Sequence, residues 1–112
     1  MSARQYRIVL VTCRSIAEAR KIGRNVVEKK LAACANIVPG VESIYRWKGK
    51  VERAREVLVV IKTTANRLPE VETEVKRLHS YDVPEFLVLP IVAGSRSYLA
   101  WLQESTAAAN KS

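Results

Sequence analysis

The chain has 112 residues, 48% of them hydrophobic and 27% charged, the composition of one soluble globular domain with a single modest core. Its longest apolar stretch, Phe86 to Ala93, contains Pro90 and falls far short of the roughly 20 residues that span a bilayer. The start, Met1-Ser2-Ala3-Arg4-Gln5, runs straight into a strand-like segment with no apolar signal region, so a cytoplasmic protein with no membrane partner is expected. The formal net charge of +8 is uneven: residues 1–30 carry eight Lys and Arg against two Glu, and residues 65–112 carry five against six acidic residues. Such an excess bears on association and solubility rather than on fold.

Tyr6 to Thr12 is a short apolar run rich in branched residues, which predicts a strand buried on both faces. Ser15 and Glu18 then match a capping box at a helix start. Ala19, Ile22, Val26 and Val27 recur at helical spacing to about Leu31, with the basic residues mostly on the other side. After Ala32 to Ile37, Pro39-Gly40 punctuates the chain. Val41, Ser43, Tyr45 and Trp47 then alternate along a strand with two aromatics on one face.

Lys48-Gly49 reads as a tight turn into a return strand from Val51 to Thr63. A second helix follows, capped by Thr64 or Asn66, with Pro69 in its first turn and an apolar stripe of Leu68, Val71, Val75 and Leu78. His79 to Glu85 is a loop, because Val83 precedes a proline. Phe86 to Val92 is a further strand, placed at an edge or bulge by Pro90. Gly94 and Ser95 open a short third helix through Leu102, and residues 106–112 read as a small-residue flexible tail.

The order strand, helix, strand, strand, helix, strand is the split βαβ pattern of the ferredoxin-like α+β fold, here with a long central hairpin and an added C-terminal helix, in one domain over residues 1–112 with its core at about 6–105. A thirteen-residue hairpin arm extends about 40 Å, more than such a sheet pairs internally. Pairing with a neighbouring subunit is expected. Cys13 and Cys34 lack Cys-x-x-Cys spacing and read as free thiols.

Catalysis is not expected, since there is no Ser-His-Asp order, Gly-rich phosphate loop or clustered carboxylate pair. Nucleic acid is not expected as a partner either: Ile8 to Val11 and Val57 to Ile61 lack the stacking aromatics of an RNA-recognition sheet.

The segments Leu31-Ala32-Ala33-Cys34-Ala35-Asn36-Ile37-Val38-Pro39-Gly40, Ser43-Ile44-Tyr45-Arg46-Trp47, Lys62-Thr63-Thr64, Tyr81-Asp82-Val83-Pro84-Glu85, Leu89-Pro90-Ile91 and Tyr98-Leu99-Ala100-Trp101-Leu102 closely resemble the CutA family of divalent-cation tolerance proteins, in register from about Arg7 to Ser105. The resemblance implies a tight homotrimer similar in architecture to the PII signalling proteins, non-enzymatic and associated with tolerance of copper and other divalent metals. In some members, metal ligation is attributed to a Cys just before the Thr that ends the first strand and to His residues opening the Tyr-x-x-Pro-Glu loop. Here Val11 holds that Cys position, Cys13 lies on the other side of Thr12, and Leu78 stands in for the first His. His79 alone matches.

Soft metals favour thiolate and imidazole, and a trimer brings ligands of different chains together. The candidate metal ligands, for Cu²⁺ or another divalent cation weakly bound, are therefore His79 and Cys34. The plainer reading of His79 is a helix C-terminal residue favoured by the dipole, and that of Cys34 is a packed thiol. A second constellation, Tyr45, Trp47, Lys62, Tyr81 and Glu85, predicts a ligand cleft with a cation, a carboxylate and aromatic walls. It supports an alternative role as a PII-like signalling or scaffold trimer that takes a small anion or a protein partner between subunits. The plainer reading is a buried Lys62–Glu85 ion pair with aromatic core packing.

Overall fold

The structure, a computed structural model, describes residues 5–107. In β1, Tyr6–Cys13, burial alternates: Val9, Val11 and Cys13 are sealed in the core, while Ile8, Leu10 and Thr12 are half-buried. The strand is thus covered on one face within this chain, not on both as its unbroken apolar run predicts. Ser15 adopts an extended conformation and its Oγ accepts the Glu18 amide at 3.2 Å, starting α1, Ile16–Glu28. Ala19, Ile22, Gly23 and Val26 form its buried face. Gly23 sets the depth of that contact, because a Cβ there would lie 3.1 Å from the Ala35 Cβ.

The long hairpin consists of β2, Cys34–Trp47, and β3, Lys50–Thr64. Pro39-Gly40 does not divide β2. The two residues are absorbed in a register irregularity between Val38 and Val41, where Gly40 takes φ +78°, a β-bulge of the kind glycine permits. Lys48 and Gly49 both have positive φ, 50° and 80°, and Trp47 pairs with Lys50 across them, the geometry of a two-residue type I′ turn. Only Val57 to Thr64 of β3 pair with β1. The rest of the hairpin projects as a two-stranded arm, and the molecule is 50 Å long.

A 3₁₀ turn, Ala65–Arg67, leads into α2, Leu68–Leu78, whose cap position falls to Arg67 rather than to Thr64 or Asn66, with Pro69 in the first turn. β4 is Leu87–Pro90, shorter than the apolar run that announces it, and α3 is Arg96–Ser105, capped by Ser95. The four strands are ordered β2-β3-β1-β4, every neighbour antiparallel, so Pro90 stands on an edge as expected. Helices α1 and α2 cover the sheet face that carries Val9, Val11, Val57, Val59 and Ile61.

The other face is largely open. Register places Ile8 opposite Lys62 and Leu89, Leu10 opposite Val60 and Leu87, and Leu58 opposite Val38, so an apolar band crosses all four strands on that side. Helix α3 shields one end of it, through Leu99 and Leu102 against Tyr6 and Ala33. Thr106, in the segment expected to be a tail, is buried, and its carbonyl accepts Arg67 Nε at 2.9 Å. Residues 108–112 of that segment lie outside the described residues.

Candidate functional site

At the end of β1, three donor-bearing side chains converge: Cys13, Glu18 and His79 each offer a ligand atom, and these atoms all lie within 4.8 Å of one another. Strand alternation points Cys13 toward the helices, the first turn of α1 supplies Glu18, and His79 follows the last residue of α2. The His79 side chain is fully buried. Its Nε2 lies 2.7 Å from the Thr12 carbonyl and its Nδ1 3.1 Å from the Tyr81 amide. Because that amide can only donate, Nδ1 accepts and Nε2 carries the proton to Thr12.

Glu18 Oε2 is 3.5 Å from His79 Nδ1 and is buried without a hydrogen-bond partner. The expected capping box is therefore half-formed: Ser15 caps the Glu18 amide, while the Glu18 carboxylate turns into the cluster. Burial, with the charges of Glu18 and Glu56 adding to it, pushes the Cys13 thiol up to about 12. A divalent cation at this point would reverse that balance, since a coordinating thiol gives up its proton. A thiol, an imidazole and a carboxylate with one unsatisfied oxygen form a donor set suited to Zn²⁺ or Cu²⁺.

Cys34 is not part of this cluster. It faces the open side of the sheet, opposite Lys62, with its Sγ 3.7 Å from Asn36 Oδ1. Cys13 lies on the helix side, beside Val57 at the other end of the β1–β3 pairing. Sheet parity and about 16 Å of strand separate the two thiols. The signal available in the sequence was the alternation of β1, which puts Cys13 in line with Val9 and Val11, together with Glu18 at the start of the next helix.

Beside the cluster, on the open side of the sheet, a cleft of about 550 Å³ is lined by Tyr45, Trp47, Glu56, Tyr81, Asp82 and Glu85, among others. Four of the five residues expected to form a ligand cleft meet there, and Lys62 does not. Six positions along β3 separate Lys62 from Glu56, about 20 Å, and the Lys62 ammonium sits 5.7 Å from the centre of the Tyr98 ring. Nor is there a Lys62–Glu85 pair. The Tyr81 hydroxyl donates to Glu56 Oε2 at 2.8 Å. Burial, then that hydrogen bond and the Glu56 charge, push the phenol up. Burial, then Glu56, pushes the Glu85 carboxyl up as well. The cleft is acidic and lacks the cation that a bound anion would need.

The CutA1 divalent ion tolerance protein model matches residues 7–105. The chain belongs to the CutA1 family. It is 50% identical over 99 residues to the divalent-cation tolerance protein CutA of Thermus thermophilus, covering 88% of this chain and 96% of that one. The chloroplastic CutA of Arabidopsis thaliana is 46% identical over 99 residues, 88% of this chain and 54% of the plant protein, so the chain spans about half of that longer relative. Among solved structures, the Thermus thermophilus CutA1 superposes with a TM-score of 0.89 at 49% identity over 91% of this chain and 99% of that chain. The Oryza sativa CutA1 gives 0.89 at 42% identity over 95% and 98%. A CutA of Archaeoglobus fulgidus, described as periplasmic, gives 0.88 at 38% identity over 91% and 99%. Among the described residues no helix is long and apolar enough to cross a membrane.

Proposed function

We propose that this CutA1 chain is a non-enzymatic, homotrimeric, cytoplasmic binder of divalent metal ions, copper among them, and that it supports metal tolerance by holding the ion at the Cys13–Glu18–His79 cluster. The observation that carries the reading is the convergence of those three donors around a buried Glu18 oxygen with no hydrogen-bond donor. Arg14 Nε lies 4.0 Å from the other oxygen, Oε1, but a buried oxygen without a donor is costly unless it is paired or coordinated. A catalytic role has little support, because a thiol held near 12 is a poor nucleophile; to hold a metal, His79 Nδ1 would exchange the Tyr81 amide for the ion.

Self-association is supported by the open face. Strand runs such as Val57 to Ile61 have the composition of strands covered on both sides, yet Leu87, Leu89 and Val38 are 55%, 45% and 41% exposed in the single chain. A neighbouring copy would complete the burial. The test is thermal unfolding at fixed protomer concentration with Zn²⁺, Cu²⁺ and Mg²⁺, since a ligand of the native state raises its stability. Zn²⁺ and Cu²⁺, but not Mg²⁺, should raise the midpoint of the native protein and of Cys34→Ala. Loss of the rise in Cys13→Ala and His79→Ala is expected, and an equal rise in all four proteins would refute the assignment.

A further inference from the structure

We propose that the cleft beneath the Tyr81–Glu85 loop is a binding site for a small organic cation carrying an ammonium or guanidinium head. Glu56 is only 8% exposed yet lines the cleft, and its one hydrogen bond comes from a neutral donor, the Tyr81 hydroxyl. Among the described residues no Lys or Arg pairs with it, although the protein carries a net charge of +8 and its basic side chains find Glu28, Glu42, Glu70, Glu72 and Glu74 elsewhere. Buried carboxylates are ordinarily paired. This one has a neutral hydroxyl and a cavity in place of a cationic partner.

The surroundings specify the missing group. Asp82 and Glu85 add carboxylates to the same space, and the cleft has no basic lining residue. The upward push that burial and Glu56 exert on Glu85 reflects two acidic groups sharing a region without a counter-ion. Tyr45, Trp47 and Tyr81 supply aromatic walls, and aromatic faces attract organic cations through their quadrupoles, with tryptophan the strongest. An anion meets only repulsion here. A bare divalent ion would use the carboxylates and leave the three rings without a role, whereas an alkylammonium or guanidinium uses both. The volume of about 550 Å³ lies within the range of small-molecule sites.

The cleft shares no donor residue with the metal cluster, although the Glu56 charge acts on Cys13 and the Tyr81 amide bonds His79. Its test is binding of choline and of ethylguanidinium, followed by Trp47 fluorescence in a Trp101→Phe background and by calorimetry on the assembled protein. The neutral isostere 3,3-dimethylbutan-1-ol and ADP serve as comparison ligands.

Saturable binding of at least one cation is expected, at least tenfold tighter than the neutral isostere and with no response to ADP. Glu56→Gln, which keeps an oxygen to accept the Tyr81 hydroxyl, should weaken it at least tenfold. Should Glu56→Gln not fold, Glu85→Gln and Trp47→Leu must each weaken binding. Equal binding of alcohol and cation, or binding of ADP alone, would overturn the proposal. So would a second source of the same chemistry: if neither cation binds and Glu56→Gln instead lowers the oligomer's dissociation midpoint, a Lys or Arg of a second copy fills the cleft.

Discussion

Glu74 ties the two core helices together, and replacing it isolates the electrostatic part of that contact. Its carboxylate, with a side chain 8% exposed, receives Lys29 Nζ from the end of α1 at 3.0 Å and Arg77 from its own helix through Nη2 at 2.7 Å and Nε at 3.2 Å. The Arg77 hydrogen bond, helped by Lys29 and opposed by burial, lowers its pKa from 4.5 to about 2. One pKa unit corresponds to about 1.4 kcal/mol, so the whole shift sets a ceiling of about 3.5 kcal/mol. Lys29 and Arg77 are 50% and 55% exposed, and solvent screening of such partners reduces the net contribution to about 1–2 kcal/mol.

A depressed carboxyl stabilises the fold above its unfolded value and loses that contribution as pH falls through its folded value. The stability gap between the native protein and Glu74→Gln should therefore be full at pH 7 and pH 5. It should shrink from about pH 4.5 downward, to less than half by pH 3. Urea unfolding of both proteins at matched protomer concentration measures it. A gap of equal size at pH 7 and pH 3 would assign the effect to packing and refute the electrostatic reasoning.

Three further substitutions test the architecture. Lys48 holds φ 50° and Gly49 φ 80°, and a side chain on Gly49 would meet nothing within 4 Å, so changes there act through backbone strain alone. Gly49→Ala should cost about 1 kcal/mol and Lys48→Asn should gain several tenths, both read by urea unfolding, and a stabilising Gly49→Ala would contradict the turn assignment. Leu89→Glu places a charge on the open sheet face at a residue 45% exposed in the single chain. It should yield folded monomers by sedimentation and circular dichroism, and an unchanged oligomer would remove that face from the interface.

The elements were legible because apolar periodicity, Ser15, Ser95, Pro69, Gly49 and Pro90 each carry a local signal. Pro39-Gly40 misled because local punctuation cannot distinguish a strand end from a bulge that the partner strand bridges. The unbroken runs in β1 and β3 announce burial on both faces and the chain itself covers only one, because an apolar run does not say what lies against its second side. In the proposed metal site, His79 was visible as the sole histidine. Its companions were obscured because Glu18 already had a local explanation as a cap, and because Cys34 sits in the more conspicuous motif while alternation quietly selects Cys13. Lys62 failed for a related reason: its strand is shared with the cleft, but only the register with Ile8 and Cys34 reveals which end it occupies.

Metal capture by the cluster is read by native mass spectrometry of the protein titrated with Zn²⁺ and Cu²⁺, repeated on Cys13→Ala and His79→Ala. A trimer should take up metal in multiples of three and lose the uptake in both variants. A trimer that gains no metal, or gains it equally in all three proteins, would contradict metal capture at the Cys13–Glu18–His79 cluster.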